Sequence, residues 1–84
     1  MTTDDICATT RKLLLDDEQE VQRKSAQLRV IEGQLTHLEQ QTNPDQAQLQ
    51  LLRNRRDAMA NQLQLLNTDL EGLRLDFGLA CPGQ

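Results

Sequence analysis

The chain has 84 residues, 13 acidic and 9 basic, for a net charge of −4. That length allows one domain at most, and with Phe77 as the sole aromatic residue the usual large contributors to a compact core are nearly absent. The acidic balance excludes a nucleic-acid binder, which needs clustered Lys and Arg; the one basic cluster, Arg53-Asn54-Arg55-Arg56, is met at once by Asp57.

The N-terminus, MTTDDI, is acidic where a signal peptide is basic. The longest aliphatic run is Leu13-Leu14-Leu15, far short of the roughly 20 residues of a membrane span. A soluble, cytoplasmic protein is therefore expected. Thr2 or Thr3 ahead of Asp4-Asp5 serves as an N-cap for a first helical arm, about 4–41.

That arm has a seven-residue apolar repeat near its end. Leu28 and Leu35 take heptad position a; Ile31 and Leu38 take position d. Extended backward, Leu14 and Val21 fall at a, but the d positions become Asp17 and Lys24. The segment 16–27 holds one large apolar residue, Val21. Residues 4–15 forming a short separate helix is the alternative to one unbroken arm.

The pattern breaks at Thr42-Asn43-Pro44. Asn43 is read as the N-cap of a second arm, with Pro44 at its first helical position, Asp45 near the positive end of the dipole and Gln46 completing a capping box. So short a turn, 42–43, favours antiparallel neighbours.

The second arm, about 44–77, keeps a strict heptad. Leu49, Arg56, Leu63, Leu70 and Phe77 hold a; Leu52, Met59, Leu66, Leu73 and Ala80 hold d. Its length is roughly 50 Å at 1.5 Å per residue. Gly78 and Pro82 are expected to end it, leaving 78–84 as an irregular tail. A line of small or apolar residues runs along position c: Leu51, Ala58, Leu65, Gly72 and Leu79.

Folded at the break, positions whose numbers add to 87 bring every a to a d. Leu38 then meets Leu49, Leu35 meets Leu52, Ile31 meets Arg56 and Leu28 meets Met59. The Arg56 stem can cover Ile31 while its head turns to water. An all-α antiparallel two-helix hairpin in a single domain, 1–84, is the fold these phases support. Farther from the turn, Leu63 meets Lys24 and Leu70 meets Asp17, so a full leucine seam faces a largely polar arm. Leu63, Leu66, Leu70, Leu73 and Phe77, with Leu65 beside them, are therefore the candidate partner-binding residues. Three explanations stay open: self-association, docking of another protein, and cover by the chain's own N-terminal helix.

Little points to catalysis. His37 is the only histidine and lacks an oriented partner or a pocket. The pairs Asp4-Asp5 and Asp16-Asp17-Glu18 lack the loop pattern of calcium sites. No enzyme, metal or cofactor is expected. Cys7 and Cys81 are too few for a zinc motif. An unbroken hairpin brings both to its open end, where a disulfide is conceivable, while a leaderless acidic chain argues for reduced thiols.

The stretch LRVIEGQLTHLEQQTNPDQAQLQLLRNRRDAMANQLQLL, Leu28 to Leu66, resembles the YscE/PscE/SsaE-like co-chaperones of type III secretion needle subunits. The best-matching piece is NPDQAQ at 43–48; where that family usually carries an aromatic after the turn, this chain has Ala47 and Leu49. The resemblance implies a helical hairpin that pairs with a helical-repeat chaperone and helps hold the needle subunit soluble. The rival class is a coiled-coil scaffold or homodimeric adaptor without a chaperone role.

Overall fold

The structure, a computed structural model, describes residues 3–82. Two helices, α1 (Thr3–Glu39) and α2 (Gln46–Ala80), pack antiparallel as an all-α hairpin. The molecule is a rod of 62 × 17 × 14 Å.

α1 is one unbroken helix of 37 residues. The polar segment 16–27 is neither a hinge nor a gap, and there is no separate N-terminal helix. Helix propensity explains this, because Glu, Gln, Arg and Lys are all good helix formers. The residue that caps its start lies outside the described residues.

The turn is longer than the sequence suggested. α1 ends at Glu39 and α2 begins at Gln46, so six residues rather than two connect them. The N-cap is Asp45, not Asn43: its carboxylate accepts from the Ala47 N–H at 2.9 Å and the Gln48 N–H at 3.3 Å. Asn43 instead adopts φ 55°, a left-handed conformation that asparagine tolerates better than most residues. Pro44 then lies one residue before the cap rather than inside the helix. This register puts Pro44 and Leu49 at the two positions of a hydrophobic staple; Leu49 is buried and Pro44 half-buried.

Burial follows the heptad along both arms. In α2 positions 49, 52, 56, 59, 63, 66, 70, 73, 77 and 80 are all sheltered, and α1 shows the same at 7, 10, 14, 17, 21, 24, 28, 31, 35 and 38. The cores of the seam are Leu35, Leu49 and Leu70. The seam continues straight through Asp17 and Lys24. Lys24 lifts its Nζ out to Gln62 Oε1 at 3.0 Å and Glu20 Oε1 at 3.5 Å, leaving its methylenes in the seam. Arg56 behaves likewise, its guanidinium reaching Asp57 Oδ1 at 3.1 Å.

Two expectations for the open end are revised. α2 runs through Gly78 to Ala80 and is closed by Cys81, whose N–H bonds to Phe77 O at 2.8 Å. The thiols are not reduced: Cys7 and Cys81 form a disulfide, with their Cα atoms 5.3 Å apart. That bond ties the last turn of α2 to the first turns of α1 and offsets the roughly 1 kcal/mol that Gly78 costs inside a helix.

Candidate docking face

The cross-arm ion pairs orient the hairpin. Glu39 meets Arg53 and Glu18 meets Arg74, each at 4.0 Å. All four residues occupy heptad position e, so e faces e along one edge of the rod. Positions g then share the opposite edge, and c lies behind g on the same side. The hairpin therefore has an e/b face and a g/c face.

These faces differ in chemistry. Among the described residues, eight large hydrophobics are exposed: Ile6, Leu13, Leu15, Val30, Leu51, Leu65, Leu75 and Leu79. Six of them lie on the g/c face, namely Ile6 and Leu13 at g and Val30, Leu51, Leu65 and Leu79 at c. Leu65 is 67% and Leu79 82% exposed. Ala58 and Gly72 continue the stripe on α2, and both are exposed. A Cβ built at Gly72 meets nothing within 4 Å, so nothing within this chain requires glycine there.

The residues singled out from the sequence divide between two places. Leu63, Leu66, Leu73 and Phe77 are half-buried and Leu70 is buried, all on the line that packs against α1. The Arg11 guanidinium also sits 5.7 Å from the Phe77 ring centroid, a cation–π spacing. Leu65 stands apart from these five, on the exposed stripe. The leucine seam thus has a partner within the chain, the continuous α1, and the surface left without one is the stripe one third of a turn away. That stripe was legible as the c-position line. What the sequence alone did not show was that Ile6, Leu13 and Val30 of α1 join it, because this depends on which edges of the two helices meet.

Open depressions lie on the e/b face between Glu18, Val21, Gln22, Asn67, Leu70 and Arg74 and, on the g/c side of α1, along Asp16, Gln19, Glu20 and Arg23. The first marks where polar α1 side chains fill the seam incompletely. His37 is exposed near the turn, its Nε2 3.5 Å from the Gln41 amide nitrogen. No helix is long and apolar enough to cross a membrane among the described residues. No family model, curated protein or solved structure matches the chain.

Proposed function

We propose that this chain is a protein-interaction hairpin that acts as a small co-chaperone. Its g/c face takes an apolar helical segment of a partner and shields it from association elsewhere. The supporting observation is the gathering of six exposed aliphatics on one face while the cross-arm ion pairs occupy the other. Exposed apolar patches of this kind mark interaction sites, and an amphipathic helix laid on such a face is a recurrent recognition mode. The resemblance of residues 28–66 to needle-subunit co-chaperones supplies the partner class: a helical-repeat chaperone and, through it, a type III secretion needle subunit.

The setting of that reading is the cytoplasm, where thiol pools hold cysteines reduced. The hairpin must then stay closed at its open end without the Cys7–Cys81 bond. Co-expression of the chain with a needle subunit and its helical-repeat chaperone tests the function. A ternary complex of defined mass, stable in reductant and lost in Leu65→Asp, is the expected result. A needle subunit that is equally soluble without this chain removes the co-chaperone role.

A further inference from the structure

The c-position stripe of α2 reads Leu51, Ala58, Leu65, Gly72, Leu79. The order is large, small, large, small, large, and it is the same in both directions about Leu65. Laid antiparallel on a second copy about Leu65, the stripe sets leucine beside leucine and small residue beside small. An isologous two-fold contact pairs residue i with j and j with i, so each unlike pairing is made twice.

The charges beside the stripe have a matching asymmetry. Position g flanks c at about 40° around the helix, by 3.6 residues per turn. On α2 that flank carries Arg55 toward the turn and Asp69 and Asp76 toward the open end, all exposed. In an antiparallel two-fold pair, g faces g. With Leu65 on the axis, Leu51 meets the second copy's Leu79, Ala58 meets its Gly72, and Arg55 lies beside its Asp76. Gln62 lies beside its Asp69. Every acidic residue of the flank gains a cationic or amide partner, and each pairing occurs twice. A parallel arrangement would instead set g against the other flank of the stripe, Asn54, Asn61, Thr68 and Leu75, and leave Arg55, Asp69 and Asp76 without a charged partner on the second copy.

We infer that a second copy of this chain occupies the g/c face, with α2 antiparallel to α2 of the other copy about Leu65, Arg55 of each against Asp76 of the other. This rests on the reading of that face as a docking surface and names its occupant when no other partner is bound. The turn of one rod then lies over the open end of the other, so the two hairpins overlap along their full length.

The test is the mass and association constant of the purified chain by light scattering and analytical ultracentrifugation, over a range of concentration. A mass twice the 9.6 kDa of one chain is expected. Arg55→Glu and Asp76→Arg each break two symmetric pairs, and each should weaken association at least about tenfold at low salt. The double variant Arg55→Glu/Asp76→Arg recreates both pairs with their signs exchanged and should return to within about threefold of wild type. Circular dichroism checks that the variants stay helical, which their exposed positions favour.

A chain that remains monomeric at all concentrations overturns the inference. So does a dimer in which the double variant is as weak as the worse single one, because another geometry then holds it. Neither outcome touches the co-chaperone reading, which stands or falls on the ternary complex. A chain that dimerises as described but captures no needle subunit separates the two in the other direction.

Discussion

The start of the second helix turns on one oxygen. Asn43 and Asp45 are both good capping residues, and the sequence favoured Asn43 because Pro44 after it would suit the first helical position. The structure uses Asp45, whose Oδ1 takes both the Ala47 and the Gln48 N–H. The carboxylate has the advantage of negative charge at the positive end of the helix dipole, and the shift places Pro44 and Leu49 in staple positions. Asn43 is left to make the left-handed bend. Asp45→Ala should therefore cost about 1 kcal/mol, read as a lower denaturation midpoint. Asn43→Gly should be neutral or slightly stabilising, since glycine accepts a positive φ freely. The reverse pattern, with Asn43→Gly costly and Asp45→Ala silent, would return the cap to Asn43.

The two helices were legible because the heptad is an arithmetic of spacing. Apolar residues at alternating intervals of three and four from Leu49 to Leu73, interrupted only at Arg56, admit one apolar stripe, and two such stripes in matching phase admit one register. The cross-arm ties sit where that register puts them: Lys24 with Gln62, Arg11 with Phe77 and Cys7 with Cys81. Less legible was the continuity of α1 through 16–27. Charged residues at seam positions suggested a break, but Lys24 satisfies its charge at the rim while its stem packs. The disulfide was the other misjudgement, because compartment reasoning outweighed the geometry that brings both cysteines to one end. Cross-linking residues 74 apart in sequence removes loop entropy from the unfolded chain worth about 4.5 kcal/mol. That is a large share of what a chain this short can have. Cys7→Ser, or reductant on wild type, should lower the melting temperature markedly. Amide exchange should accelerate first near Leu14 and Leu73, with Leu35 and Leu49 still protected. An unchanged melting curve after verified reduction would show that the seam alone holds the open end.

A molecule 62 Å long with a radius of gyration of 18.6 Å is far from a compact ball of the same length, for which about 12 Å is typical. It has no interior in the usual sense, only a seam and two outer faces, so each leucine serves one or the other. The choice is set by heptad position, and substitution distinguishes the two. Leu66 and Leu70 lie on the line facing α1, with Leu70 4% exposed. Placing Asp at both buries two carboxylates opposite Asp17 and Val21, and unpaired buried charge is strongly disfavoured. The expected outcome is loss of helix over the open half of the rod, seen as reduced ellipticity and faster amide exchange. Leu65, 67% exposed, gives up no internal packing. Leu65→Asp should keep the wild-type melting temperature to within about 0.5 kcal/mol of stability and lose only what docks on the g/c face. If instead Leu66→Asp/Leu70→Asp keeps full helicity and merely lowers the molecular mass, the second-arm leucines are an interface between molecules and not the seam of one. The division of the rod into a closed line and an open face would then have to be redrawn, with α1 displaced from the leucines it covers.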